Sequence, residues 1–236
     1  MGDAIGIQSY TFRRLPVLEM IDQVAKTGAN AVELWPGHLP PDAGAETVAE
    51  VLRRSDARGI RICGYGVSNL GPQGEGHLRM AHRLGCDYVS IDVRPDDWDA
   101  QAAGCALATE LGLKLGLHNH GPGHHFSTAA HVAAVLAANP PVFGACVDTG
   151  HFLRSEEDPI AAIELLAPRV HAVHLKDFVD VRTEVLPGTG RLDLPKALRA
   201  LVRGGLLTAF VLEYEADVPD LTAEVAKAVG AVRAAM

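Results

Sequence analysis

Short runs of apolar residues recur along the chain, and each run has the length of a buried β-strand. Successive runs start 26 to 30 residues apart, apart from a last interval of 39 residues. The runs begin near Ile5, Ala31, Arg61, Tyr88, Lys114, Phe143, Val170 and Ala209. Between them lie segments with apolar residues at helical spacing, such as the segment from Val17 to Ala25. The pattern therefore predicts eight strand-helix units.

Glycine marks the end of most of the predicted helices, just before the next strand. A helix commonly ends in a left-handed backbone conformation, which glycine adopts readily. These glycines are Gly28, Gly59, Gly85, Gly112 and the pair Gly204 and Gly205. Eight units at near-constant spacing predict an α/β fold, a single (β/α)8 TIM barrel over residues 1–236. The alternative is a doubly wound open sheet, which usually has fewer units, and no Gly-x-Gly-x-x-Gly follows the first strand.

The last interval is long because a glycine-rich stretch, Leu186 to Asp193, follows the seventh strand. No Lys-Ser or Lys-Thr pair follows the glycines, so the stretch does not have the pattern of a P-loop. Two interpretations remain for it: a flexible surface turn, or a loop that covers the mouth of the barrel.

Composition and charge narrow the class of protein. With 48 % hydrophobic residues in 236, the chain can bury a sizeable core. The net charge of −8 argues against a general affinity for nucleic acid, which needs clustered Lys and Arg. Four widely spaced cysteines fit reduced thiols in a cytoplasmic protein. No signal peptide and no membrane-spanning run of apolar residues is recognisable, so we expect a cytoplasmic protein without a membrane partner.

Four successive strands end in residues that can bind a metal ion. In a TIM barrel the carboxyl ends of the strands meet at the active-site face. The four residues are His118, Asp148, His174 and Glu213. Two imidazoles and two carboxylates suit Mn²⁺, Co²⁺ or Zn²⁺, with Mg²⁺ as a further candidate, and their charge of about −2 balances the ion. Each residue singly would also serve as a helix cap or an ordinary hydrogen-bonded polar group.

Other polar residues near the strand ends are candidates for substrate contacts. Glu33 ends the second strand and is expected either to bind a substrate hydroxyl or to form a salt bridge at the rim. His120 shares a strand face with His118 if the fifth strand extends that far. His151 and Lys176 are expected to contact substrate or to orient the metal ligands.

Several motifs resemble the xylose isomerase-like TIM-barrel superfamily, which includes sugar-phosphate isomerases/epimerases, ketose 3-epimerases, inosose dehydratases and the endonuclease IV branch. The resemblance covers nearly the whole chain and is strongest between His118 and Glu215. The motifs are Cys146–His151, His171–Asp177, Gly188–Gly190 with Asp193, and Leu212–Glu215. The resemblance implies that Asp148, His174 and Glu213 are three of four metal ligands. It also implies that His151 and Lys176 contact substrate.

The chain departs from the epimerase pattern at one position. Epimerases of this group usually place a glutamate at the end of the fifth strand, where this chain has His118, which looks more like the inosose dehydratase branch. Glu213 is then the expected proton-transferring carboxylate, with His118 as the alternative base. His120, His151 and Lys176 are the candidates that return the proton. The endonuclease branch uses a basic DNA surface, and this chain is acidic.

The sequence thus predicts a divalent-metal-dependent enzyme of carbohydrate metabolism, a sugar isomerase/epimerase acting on a keto-sugar or cyclic polyol. It would remove a proton next to a metal-polarised carbonyl. The alternatives are a dehydratase or lyase of the inosose dehydratase type and a non-catalytic sugar-binding barrel. The expected partner is a small sugar or polyol, and the sequence leaves open whether the chain forms homo-oligomers.

Overall fold

A closed parallel β-barrel forms the centre of the molecule. The structure, a computed structural model, describes residues 4–206 and 208–236. In these ranges each barrel strand pairs with the next in sequence, and the last pairs with the first. The barrel strands are Ile5–Gln8 (β1), Ala31–Leu34 (β2), Arg61–Asn69 (β3), Tyr88–Asp92 (β4), Lys114–His118 (β5), Phe143–Asp148 (β6), Val170–Leu175 (β7) and Phe210–Leu212 (β10). The predicted (β/α)8 barrel is confirmed, and only the last strand starts one residue later than predicted.

Helices follow the strands and cover the barrel from outside. In the described ranges they are Val17–Lys26 (α1), Ala45–Arg58 (α2), Gly74–Arg83 (α3), Trp98–Leu111 (α4), Ala129–Ala138 (α5), Thr149–Arg154 (α6), Pro159–Leu166 (α7), Leu194–Arg203 (α8) and Leu221–Ala235 (α9). A short 3₁₀ helix, Ser9–Phe12, follows β1. Gly59 and Gly112 cap α2 and α4 with φ of +66° and +70°, as the glycine pattern predicted. None of these helices is both long and apolar enough to cross a membrane.

The buried side chains form two layers. The main apolar core lies between strands and helices, and it includes Ile7, Val89 and Leu115. A smaller buried cluster, which includes Cys63, Tyr88 and Cys146, fills the barrel interior. Because the interior is packed, an active site has room only at an end of the barrel.

The residues after β6 turn directly into a short helix. Thr149 and Gly150 open α6, and Asp148 is its N-cap. One carboxylate oxygen of Asp148, Oδ1, accepts the His151 amide at 2.7 Å, which stabilises the first turn. His151 therefore projects from the first turn of a helix anchored on a strand end.

The glycine-rich stretch after β7 is tied to the barrel and is not a free turn. Asp177–Phe178 (β8) pairs antiparallel with Glu184–Val185 (β9). The buried Asp177 carboxylate accepts four backbone amides, those of Phe178, Gly188, Gly190 and Leu192, at 2.8 to 3.0 Å. One carboxylate thus fixes both the hairpin and the loop that follows it.

We expect Asp177→Asn to lower the free energy of unfolding by about 3 kcal/mol, because an amide cannot replace a carboxylate that accepts several buried amides. Urea denaturation measures the change. The matched control is Asp180→Asn, the same substitution at an exposed position of the same hairpin, with an expected loss of about 1 kcal/mol or less. Equal losses in the two variants would show that Asp177 does not hold the loop.

Candidate metal centre and active site

The four strand-end residues come together at the carboxyl end of the barrel. We call them the strand-end quartet: His118, Asp148, His174 and Glu213. One ligand atom of each lies within 4.8 Å of those of the others, and all four residues are buried. His118 Nε2 is 3.0 Å from His174 Nδ1 and 3.6 Å from Asp148 Oδ2. His174 Nδ1 lies 3.2 Å from a carboxylate oxygen of Glu213. The convergence follows directly from the closure of the barrel.

The donor set of the quartet fits a divalent cation. Asp148 Oδ2 is buried and has no hydrogen-bond partner among the described residues. Two imidazole nitrogens face each other and two carboxylates, so lone pairs converge with few protons between them. Burial lowers the pKa of His174, but Cys146 and the facing carboxylates raise it well above its ordinary value. A proton therefore occupies this space in the metal-free chain, and a bound cation would replace it.

Glu33, expected either to bind a substrate hydroxyl or to form a salt bridge at the rim, pairs with His174 inside the barrel. Its side chain is 0 % exposed and sits beneath the quartet inside the barrel. It accepts hydrogen bonds from Gln8 Nε2 at 2.9 Å, from Tyr88 Oη at 2.5 Å and from the Ser90 hydroxyl. Its Oε2 lies 2.9 Å from His174 Nε2. The inward direction of β2 at this residue places the carboxylate in the core and not at the rim.

The contact between Glu33 and His174 sets the tautomer of the imidazole. Burial raises the pKa of Glu33, but His174 and the hydroxyl donors outweigh burial and hold it below its usual range. The carboxylate therefore accepts the Nε2 proton of His174, so a cation that displaces the proton on Nδ1 would meet the Nδ1 lone pair directed at the quartet. Sequence reasoning missed Gln8, Tyr88 and Ser90, although polar residues in otherwise apolar strands were a signal.

We expect Glu33→Gln to weaken metal binding about 10- to 100-fold, because an amide holds the required tautomer and basicity of His174 less well. Competition with a chromogenic chelator measures the affinity, and circular dichroism shows that the variant is folded. Glu50→Gln, an exposed position on α2, is the control. Unchanged affinity in Glu33→Gln would show that Glu33 does not orient the ligand.

Asn119 fixes the position of Asp148. Its side-chain amide donates to the Asp148 carbonyl at 2.9 Å, and its Oδ1 accepts the Asp148 amide at 2.7 Å. The two bonds couple the end of β5 to the end of β6. Sequence reasoning missed Asn119, which lies between two histidines already under consideration.

Lys176 is buried beside the quartet, and its ammonium group is surrounded by carboxylates. It is 2 % exposed, and its ammonium group contacts Glu215 and lies 3.7 Å from Glu184 Oε1. Burial lowers the pKa of Lys176, but Glu213, Asp148 and the neighbouring carboxylates raise it above its ordinary value. Burial also raises the pKa of Glu184 to about 7 against the effect of Lys176. Sequence reasoning missed Glu184, because a short hairpin and not a barrel strand delivers it.

His120 and His151 flank the quartet on its outer side. Their ring centroids lie 4.7 Å and 5.7 Å from that of His118. His151 Nε2 is 4.0 Å from Asp148 Oδ2, and Arg154 donates to His151 Nδ1 at 3.3 Å. Burial lowers the pKa of His120 to about 2 and that of His151 to about 4. Both rings are therefore neutral at neutral pH and can exchange hydrogen bonds with hydroxyl groups.

Comparison with known proteins identifies the family. Residues 21–235 match the family described as xylose isomerase-like TIM barrel, and the chain belongs to this family. The resemblance seen in the sequence motifs is confirmed.

Two enzymes with assigned activities are similar to this chain. The 3-oxo-isoapionate decarboxylase of Pectobacterium atrosepticum is 29% identical over 223 residues, which cover 80% of this chain and 78% of that enzyme. Inosose dehydratase 1 of Bacillus cereus is 28% identical over 145 residues, which cover 52% of this chain and 48% of that enzyme. The match thus spans about half the length of the dehydratase.

A solved structure shares the fold. The D-psicose 3-epimerase of Clostridium cellulolyticum H10, crystallised with D-tagatose, aligns with a TM-score of 0.80 and 17% identity. The alignment covers 98% of this chain and 99% of the epimerase. At this identity the likeness concerns the barrel and not the reaction.

Proposed function

We propose that this chain is an enzyme that acts on a keto-sugar or an oxidised cyclic polyol, by removing a proton from the carbon next to a carbonyl group. The observation that carries the proposal is the convergence of the strand-end quartet, with the Lys176 ammonium beside it. Proton removal of this kind begins both isomerisation and dehydration. The similar enzymes, a decarboxylase and a dehydratase, support an enzymatic role.

The quartet would hold a divalent ion such as Mn²⁺, Co²⁺ or Zn²⁺. When bound, such an ion polarises a substrate carbonyl and offsets the negative charge that develops on its oxygen. Glu33 and Asn119 support this role, since one orients His174 and the other fixes Asp148.

Glu213 is the proposed proton acceptor. Burial raises its pKa, but Lys176 and His174 outweigh burial and lower it to about 2. The carboxylate is therefore ionised at neutral pH and ready to take a proton. Its 8 % exposure shows that it lies near the surface of the site, whereas Glu33 is closed off.

Lys176, His151 and His120 are the proposed substrate-contacting groups. The ammonium of Lys176 stays protonated, so it can donate a hydrogen bond to a developing oxyanion or return a proton to the product. The neutral rings of His151 and His120 can bind hydroxyl groups. The groups proposed to take part in proton transfer are therefore the Glu213 carboxylate and the nitrogen groups of Lys176, His151 and His120.

The isomerase/epimerase reaction is our first candidate, and a dehydratase or lyase is the second. His118 favours the second, because epimerisation by two carboxylates needs a glutamate at that strand end. A non-catalytic sugar-binding barrel is less well supported, because each position of the quartet retains a competent ligand.

The test is solvent exchange in D₂O with metal-loaded protein and a panel of D-fructose, D-psicose, D-tagatose and scyllo-inosose. We expect deuterium at the carbon next to the carbonyl of at least one compound, detected by NMR. An isomeric product would identify an epimerase or isomerase, and an unsaturated product a dehydratase. Binding of these compounds without any exchange or product would contradict the proposal and favour the sugar-binding barrel.

A further inference from the structure

A second group of metal-ligand types lies at the mouth of the barrel. Asp92 ends β4, His120 lies two residues beyond β5, and His124 lies in the loop before α5. One ligand atom of each is within 4.8 Å of those of the other two. We call these three residues the mouth cluster. It shares no residue with the strand-end quartet.

Polar atoms of the mouth cluster converge without satisfying one another. His120 Nε2 is buried and, in the described part of the chain, has no hydrogen-bond partner. His124 Nε2 lies 3.9 Å from Asp92 Oδ2, which is too long for a hydrogen bond. A buried nitrogen of this kind is costly to leave unpaired unless something else binds it.

The loop after β5 holds the two histidines in place before any ligand binds. The His120 amide donates to the Phe126 carbonyl at 3.1 Å, and the His124 amide to the Gly121 carbonyl at 3.3 Å. The two imidazole rings are 4.2 Å apart between centroids. The closed loop therefore presents both rings towards Asp92 with little freedom left to lose on binding.

We propose that Asp92, His120 and His124 bind a second divalent transition-metal ion, of which Zn²⁺ is the best match. Two imidazoles and a carboxylate are a common ligand set for zinc sites that keep a fourth position for water. The Asp92 and His124 side chains are 34% and 32% exposed, so water can complete the coordination. Mg²⁺ and Ca²⁺ prefer oxygen ligands and fit this set poorly.

The tautomer of His124 in the metal-free chain is compatible with this role. His124 Nδ1 accepts the Phe126 amide at 3.3 Å, so in the metal-free chain the proton is on Nε2. On binding, this proton moves to Nδ1 and the long Phe126 contact is given up, which keeps the ring neutral.

The test is the number of Zn²⁺ ions bound per chain after chelation and dialysis, measured by titration calorimetry and elemental analysis. We expect two ions for the wild type and one for both Asp92→Asn and His124→Ala. His125→Ala, the exposed neighbour, is the matched control and is expected to keep two. Two ions in both variants, or a single wild-type ion that both variants retain, would overturn the proposal.

The outcome also separates this proposal from the proposed function. A single wild-type ion that is lost in His124→Ala and kept in Asp148→Asn would support the mouth cluster and refute the quartet. A single wild-type ion that is kept in His124→Ala and lost in Asp148→Asn would support the quartet and refute the mouth cluster. If the mouth cluster binds metal, His120 is a ligand of that ion and is available neither to bind a substrate hydroxyl nor to donate a proton.

Discussion

Replacement of Glu213 by Gln is expected to lower turnover by about 10²-fold or more, the usual effect of losing a general base. The neutral amide cannot accept the substrate proton. A Gln oxygen can still coordinate weakly, so much of the metal affinity should survive. The loss should therefore appear in the chemical step and not only in metal occupancy.

The measurement is the rate of deuterium wash-in from D₂O at the carbon next to the carbonyl, with metal content determined for each sample. Glu164→Gln, the same substitution on an exposed residue of α7, controls for the general effect of removing a carboxylate. Undiminished wash-in in Glu213→Gln would remove Glu213 from the role of base. His118 or His120 would then be the better candidate.

Removal of metal from the quartet is expected to abolish turnover and to lower the stability of the fold. Two carboxylates and two imidazoles converge in a buried site, and a cation relieves their mutual repulsion. An ion that binds only the folded chain stabilises it by about 4 kcal/mol at a concentration of about 1,000 times its Kd.

Urea unfolding of the metal-free protein at increasing Mn²⁺ or Co²⁺ measures this stabilisation. The measurement is made in the Asp92→Asn variant and not in the wild type, because this substitution removes the stabilisation by metal bound at the mouth cluster. Adding Asp148→Asn to that background should abolish most of the dependence on metal, since Asp148 Oδ2 is a buried oxygen of the quartet with no hydrogen-bond partner in residues 4–206 and 208–236. Identical unfolding curves with and without metal would contradict the expectation.

The barrel could be predicted from sequence because each of its eight units repeats the same pattern, a short apolar strand followed by a helical segment. Parallel strands buried on both faces appear as short apolar runs, and β5 and β6 start at the predicted residues, Lys114 and Phe143. The near-constant spacing gives eight strand-helix units, and eight parallel units of this kind form a closed barrel. The error at β10 is one residue, in a strand of only three residues.

Part of the site could be predicted for the same reason, and part could not. Once the strand ends are known, closure brings His118, Asp148 and His174 together without further information. The depth of Glu33 depends on how the barrel interior is packed, which strand periodicity does not reveal. The position of Glu184 depends on a hairpin of two-residue strands. The convergence of the mouth cluster depends on the path of an irregular loop. These features require three-dimensional contacts between segments distant in sequence.

Anomalous diffraction from a crystal of the Co²⁺-loaded protein tests the metal centre most directly. We expect a peak between His118, Asp148, His174 and Glu213, with ligand atoms about 2.0 to 2.3 Å away. Absence of a peak at the quartet in protein that contains stoichiometric Co²⁺ would contradict the metal assignment, and with it the proposed activation of a substrate carbonyl.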